Sequence, residues 1–242
     1  MANKNLIIFV PAYNEEKSIF KLIKEIPSFP NINQKVIVIN DGSTDNTSAT
    51  AKKAGAIVIS NKKNEGLGYS FKIGLVEALK EDADIVVVLD GDGQYNPKHI
   101  NKLIFPILRD EADLVQGNRF LVGEKYESSS IRILGNKVIS IFLSKILLRL
   151  TEVYDIQSSF RAFNRSLATV LVKEIIGKYN YAQEMFIIAS LQGYKINQIP
   201  VQCSKRRYGQ SRLIRNPFIH LIKILWVSFR TYLLFRVKGR IN

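Results

Sequence analysis

The sequence predicts an α/β protein built on a mostly parallel sheet, and three observations carry that prediction. Short aliphatic runs at residues 6–10, 36–39, 57–60 and 85–89 alternate with helical patterns near residues 16–26, 46–54 and 68–80, the order that βαβ units impose. Within "IVVVLDGDGQYNP" (85–97) the first five residues are apolar without alternation, as in a strand covered on both faces. The runs at 6–10, 36–39 and 85–89 give way to polar or acidic residues, and the carboxyl edge of an open α/β sheet is where ligands bind.

Taken in order, the first strand runs into "PAYNEE" (11–16), whose polar side chains and backbone amides lead into a helix. A capped strand-to-helix turn is the plain alternative. The second strand ends in "NDGSTDNT" (40–47), where Asp41 is suited to accept hydrogen bonds from a base or ribose and Asp45 or Asn46 to cap the next helix. Further strands are expected at 113–116 and 196–201. Long amphipathic segments follow at 131–150 and 217–235. The first half thus reads as a nucleotide-binding sheet and the second as an acceptor-side elaboration. The expected organisation is one domain over 1–212 and an amphipathic C-terminal segment over 213–242.

The chain has 242 residues, enough for a sizeable core, and 46% are hydrophobic, which sets disorder aside. Its 35 Lys plus Arg outweigh 21 Asp plus Glu for a net charge of +14, favouring an anionic partner: nucleic acid, nucleotide, phosphate or anionic membrane. Cys203 is the single cysteine, so no internal disulfide forms and a reducing compartment is expected. "NLIIFV" is too short for a signal-peptide core. Residues 213–235, the longest apolar stretch, are interrupted by Arg215, His220, Lys223 and Arg230, short of the roughly 20 apolar residues a spanning helix needs.

"DGDGQ" (90–94) does not fit a calcium loop: counted from Asp90, Tyr95 and Asn101 stand where Gly and Glu are required. Neither Gly66-Leu67-Gly68 nor Gly91-Asp92-Gly93 has the third glycine of a dinucleotide fingerprint. Asp90 and Asp92 with Gln94 nearby suit Mg²⁺ or Mn²⁺, which keep positions open for phosphate oxygens. A solvated acidic turn is the alternative. Arg119, Arg132, Arg206, Arg207 and Arg212 are candidate phosphate ligands, because guanidinium groups fork onto phosphate oxygens. Gly209 and Ser211 in "YGQSR" suggest a loop that closes over phosphate.

Together "PAYNEE", "NDGSTDNT", "NEGLGYSFKIGL", "DGDGQYNP", "QGNRF", "DIQSSFRAFNR", "YAQEMFI" and "RRYGQSR" resemble the family 2 glycosyltransferases of GT-A fold, in particular the branch similar to dolichol-phosphate mannose synthase. The resemblance implies transfer of a sugar from a UDP- or GDP-linked donor to polyprenyl phosphate, by inverting displacement, with Mg²⁺ or Mn²⁺. It implies that Pro11, Tyr13, Glu15, Asp41 and Gly91 hold the donor, and that Asp90, Asp92 and Gln94 form the metal and diphosphate site. It assigns Arg119 and Arg132 to the acceptor phosphate, and Arg206, Ser211 and Arg212 to the donor diphosphate. Asn40, Ser159 and Arg212 depart from the family's usual Asp, Gly and Lys. Glu184 lies where relatives with hydroxyl acceptors place a base. A phosphate monoester with a second pKa of about 6 needs none, so Glu184 is expected to position rather than catalyse.

With a helix starting at Pro217, His220, Lys223 and Arg230 fall on an arc of roughly 80°, opposite a wide apolar face. Such a helix lies in a membrane interface, implying a peripheral protein on the cytoplasmic face; packing on the core or on a second subunit is the alternative. Other readings are a family 2 transferase with a sugar-hydroxyl acceptor and Glu184 as base, a catalytically inactive membrane scaffold, and a nucleic-acid-binding protein. No nucleic-acid motif supports the last, and none is expected as a partner.

Overall fold

The computed structural model describes residues 4–121, 126–177, 181–206, 208 and 217–238. Among them the strands are β1 (Lys4–Ala12), β2 (Ile32–Asn40), β3 (Ile57–Ser60), β4 (Ile85–Val88), β5 (Leu114–Asn118), β6 (Arg161–Asn164) and β7 (Ile196–Pro200). The helices are α1 (Ile19–Lys24), α2 (Thr47–Lys53), α3 (Leu67–Lys80), α4 (Ile100–Leu108), α5 (Ser130–Ile141), α6 (Arg165–Glu174), α7 (Tyr181–Leu191) and α8 (Pro217–Lys238).

The strands form one sheet in the order β3-β2-β1-β4-β6-β5-β7. β1 pairs in parallel with β2 and β4, and β2 with β3. β6 lies antiparallel between β4 and β5, while β7 pairs in parallel with β5. The strands expected at 113–116 and 196–201 are β5 and β7, and with β6 they extend the same sheet. The antiparallel β6 has no counterpart among the expected strands, because its four residues include a charged arginine and carry no aliphatic run.

β1 and β4 are buried on both faces, as their unbroken apolar runs require. Leu6, Ile8, Val10 and Val87 face one core layer, under α1, α2 and α4; Ile7, Phe9, Val86 and Val88 face the other, with α3, α6 and α7. Each such fully buried side chain is worth roughly 1.5–3 kcal/mol. α3 approaches β1 closely because Gly74 has no Cβ; one built there runs into the Phe9 ring.

The other elements beyond expectation are helical. α4 contains Pro106, which masks its pattern, and α7 is buried along Tyr181–Ala189, so it shows no amphipathic stripe. The helix expected over 131–150 begins one residue earlier as α5 and passes into a π-helical turn over Phe142–Leu147. α8 packs on α7 through Ile224, Ser228, Thr231 and Phe235, and no helix among the described residues is long and apolar enough to cross a membrane.

Candidate functional site

The carboxyl ends of β1, β2 and β4 are knitted together by backbone. Asp41 N–H donates to the Ala12 carbonyl at 2.9 Å, and Gly91 N–H donates to the Pro11 carbonyl at 3.2 Å. Ser18 Oγ donates to the Gly91 carbonyl at 2.8 Å. Gly42 turns with φ +70°, where a Cβ would strike the backbone of Lys63 and Asn64. These contacts bring "PAYNEE", "NDGST" and "DGDGQ" to one edge.

Glu15, Asp90, Asp92 and Arg206 form the charged centre of that edge. Arg206 Nη2 pairs with Glu15 Oε1, and its Nη1 lies 3.7 Å from Asp92 Oδ2. Burial, opposed by Arg206 and reinforced by Asp92, pushes the Glu15 carboxyl up to about 7. Asp90 is half-buried; the surrounding protein, then the charge of Asp92, pushes its carboxyl up to about 6. Asp92 is also raised, chiefly by burial, with Gln94 N–H, Arg206 and Arg132 opposing. Ser159 Oγ donates to Asp90 Oδ2, and Gln94 N–H donates to Asp92 Oδ1 at 3.0 Å.

Two hard carboxylates, both held below their usual acidity, make a donor set that fits a divalent cation. Among the described residues no group of three His, Cys, Asp or Glu stands ready to enclose one. A two-carboxylate site leaves the remaining positions to phosphate oxygens and water, as Mg²⁺ and Mn²⁺ prefer. The Gln94 side chain is turned elsewhere. Its Nε2 donates to the Ser204 carbonyl at 2.8 Å, while Ser204 N–H donates back to the Gln94 carbonyl at 2.8 Å. Gln94 thus carries the segment that delivers Arg206.

The remaining candidates divide. Asp41 is buried, and its carboxylate accepts from Asn61 Nδ2 (2.8 Å) and the N–H groups of Glu65 (3.0 Å) and Gly66 (2.9 Å). It therefore ties the loop before α3 to the edge, a role beyond the base or ribose contact expected of it. Tyr13 is half-buried beside Asn14, whose N–H donates to Ser43 Oγ at 2.9 Å. Arg132 starts α5, is exposed, and its charge reaches Asp92.

Arg119 is engaged differently from expectation. Its Nε and Nη2 fork onto Asp155 at 2.6 and 2.8 Å, with the two side chains 10% and 0% exposed. Its charge is met within the protein, and its guanidinium lies 4.9 Å from the Tyr126 ring centroid. Arg207, Gly209, Ser211 and Arg212 lie outside the described residues, as does the side chain of His220.

Glu184 is 3% exposed. Its Oε2 accepts from Gly177 N–H at 2.7 Å. Burial raises its carboxyl, opposed by the Gly177 and Ile176 N–H groups and by Arg230. Arg230, expected on the basic face toward lipid, is half-buried and lies 5.5 Å from the Trp226 ring centroid. The basic arc of α8 is corrected accordingly: Lys223 remains exposed while Arg230 turns toward the protein.

Sequence reasoning passes over Asp155 and Arg161. Both sit inside "DIQSSFRAFNR", a conspicuous segment, but what these two side chains do depends on pairing across the sheet. Cys203 is buried, and burial pushes its thiol up to about 12, leaving it inert at neutral pH.

Residues 7–171 match the family described as "Glycosyl transferase family 2". A UDP-N-acetylglucosamine--dolichyl-phosphate N-acetylglucosaminyltransferase of Methanococcus voltae is 32% identical over 232 residues, covering 88% of this chain and 90% of the relative. A polyprenol monophosphomannose synthase of Mycolicibacterium smegmatis is 22% identical over 216 residues, covering 86% and 80%. Among solved structures, glucosyl-3-phosphoglycerate synthase from Mycobacterium tuberculosis with Mn²⁺ and UDP-glucose superposes with a TM-score of 0.71 at 22% identity, covering 94% of this chain and 79% of that one. That likeness establishes the fold.

Proposed function

The chain belongs to glycosyl transferase family 2 and has the GT-A fold, and from that premise we propose that it transfers a sugar, with inversion, from a nucleoside-diphosphate sugar to a polyprenyl phosphate. Asp90 and Asp92 hold Mg²⁺ or Mn²⁺. When bound, that ion offsets the negative charge of the departing diphosphate. The edge around Pro11, Tyr13, Glu15, Asp41 and Gly91 receives the nucleotide. Arg206, with Ser211 and Arg212, meets the diphosphate; Arg132 meets the acceptor phosphate, and Arg119 secures the wall beside it through Asp155.

In this reaction an acceptor phosphate oxygen forms a bond to the anomeric carbon as the bond from that carbon to the donor diphosphate breaks, its electron pair leaving with the nucleotide. No proton has to be removed, since the phosphate is largely dianionic near neutral pH. The chain's work is to bring two polyanions together in line and stabilise the one that leaves.

The observation that carries the choice of a phosphate acceptor is Glu184: the side chain that a hydroxyl acceptor would need as base accepts the Gly177 N–H and is buried. The Methanococcus and Mycolicibacterium relatives, named for dolichyl phosphate and for a polyprenol monophosphate product, support the same choice. The test is a panel of UDP and GDP sugars with Mn²⁺ or Mg²⁺, offered a short polyprenyl phosphate or soluble sugars. Transfer to the phosphate is expected; transfer to sugar hydroxyls alone would overturn the proposal. Asp92→Asn should cut turnover by about a thousandfold with the circular dichroism spectrum unchanged.

We further propose that the protein sits peripherally on the cytoplasmic membrane face, where a lipid-linked acceptor resides. The stretch from Ser130 to Leu147 and the whole of α8 contain no Asp or Glu, and Arg132, Lys137, Lys145, Lys223 and Arg236 remain beside their apolar residues while Arg230 faces the protein. Both helices also present bare apolar residues, with Ile131 87% and Trp226 62% exposed. Apolar surface beside uncompensated positive charge suits an anionic lipid interface. Flotation with anionic vesicles is expected; a dimer in sedimentation with no flotation would assign the same surface to a second subunit.

A further inference from the structure

Arg161 is a fully buried cation to which the proposed reaction gives no role. It stands on β6, in register with Val88 of β4 on one side and Gln116 of β5 on the other, and is 0% exposed. Burying a guanidinium costs several kcal/mol unless its N–H groups are met. Its Nη1 donates to the Ala182 carbonyl in the first turn of α7 at 2.9 Å, and its Nη2 donates to the carbonyls of Ile156, at 3.2 Å, and Ser158, while its buried Nε has no hydrogen-bond partner among the described residues. Gln116 Nε2 reaches the same Ser158 carbonyl at 3.0 Å, and the Ser158 and Tyr95 hydroxyls share a hydrogen bond of 3.1 Å. The turn at 156–159 is thereby held from beneath. The next side chain along, Ser159, donates its hydroxyl to Asp90 Oδ2.

We propose that Arg161 is a positioning residue for the metal-binding pair: by pinning the 156–159 turn to the start of α7 it fixes Ser159, and through Ser159 the orientation of the Asp90 carboxylate. The inference rests on the reading of Asp90 and Asp92 as the metal site. A planar fork is needed because three carbonyls from two segments must be met at once; a lysine supplies the charge without the geometry. Residues behind metal ligands set affinity by holding the ligand in place.

The test titrates Mn²⁺ alone into the full chain by calorimetry at one pH, for the native protein, Arg161→Lys, Ser159→Ala and the double variant. Each single variant is expected to weaken Mn²⁺ binding on the order of tenfold, and the double variant no more than the weaker single one, since both act along one chain of contacts. Native affinity in R161K, or additive losses in the double variant, would overturn the inference. If R161K does not fold, Ser159→Ala, which removes one oxygen, decides: native affinity there overturns the inference, and a tenfold loss upholds it. Absence of Mn²⁺ binding in the native chain would instead strike the metal reading itself, and the inference with it.

Discussion

Arg206 shows how one side chain links Glu15, on the edge proposed for the donor, to Asp92 of the proposed metal pair. Its guanidinium pairs with Glu15 and sits within reach of Asp92, so a divalent ion held by Asp90 and Asp92 would share the Asp92 carboxylate with this arginine. A unit charge several ångströms from a divalent ion at an effective dielectric near 20 changes binding by a few kcal/mol at most. Arg206→Gln is therefore expected to tighten binding of Mn²⁺ alone by about three- to tenfold and to weaken nucleoside diphosphate binding, because a cation for the diphosphate is lost. Calorimetry with each ligand separately checks it, and weaker Mn²⁺ binding would contradict it. The candidate residues are legible in the sequence because carboxylates and arginines are conspicuous at strand ends. What a given arginine is paired with is not: Arg119 and Arg206 look alike in sequence, and only the fold sets the first against Asp155 and the second against Glu15 and Asp92.

At the scale of elements, α8 is the instructive case. Its docked face is made of Ile224, Ser228, Thr231 and Phe235, and on the opposite side Ile222, Trp226, Phe229 and Leu233 are exposed. The helix is apolar on two sides, so its pattern identifies a helix without saying which side is covered. Ile224→Ala should cost about 2–4 kcal/mol in denaturant unfolding, as a cavity at a fully buried aliphatic position does. Trp226→Ala should leave stability within about 0.5 kcal/mol yet reduce flotation with anionic vesicles. Equal losses of stability in both would mean that the exposed side is also packed. β6 and α7 escape sequence reading for the opposite reason. A four-residue strand with a buried arginine lacks an apolar run, and a helix buried on every side has no polar face to mark its period.

For the whole molecule, stability is tied to pH through the acids at the sheet edge. Glu15, at about 7, and Asp90, at about 6, bind protons more tightly in the folded chain than at their ordinary values of 4.5 and 3.8. The folded state therefore holds protons that the unfolded chain releases, and metal-free stability falls as pH rises from about 4 to about 7. Thermal midpoints between pH 4.5 and 8 should show this decline, at about 2–4 °C per kcal/mol in a chain of this size; Asp90→Asn should flatten it. Mn²⁺ at a hundredfold excess over its dissociation constant should return about 2.7 kcal/mol, most visibly at the alkaline end. A midpoint that climbs with pH in the absence of metal would contradict the assignment of these buried acids.

By itself the sequence determined the βαβ half of the sheet, the acidic pair at the end of β4 and the apolar character of the last helix. Those features are local: they depend on runs, spacing and side-chain chemistry within a few residues. The tertiary structure decided where β6 enters the sheet, which arginines already have a carboxylate, that Glu184 is occupied by the Gly177 amide, and which side of α8 is docked. These depend on contacts between residues far apart in the chain. A pairing energy or a desolvation cost exists only once folding has brought both partners together, so no stretch of sequence read alone contains it.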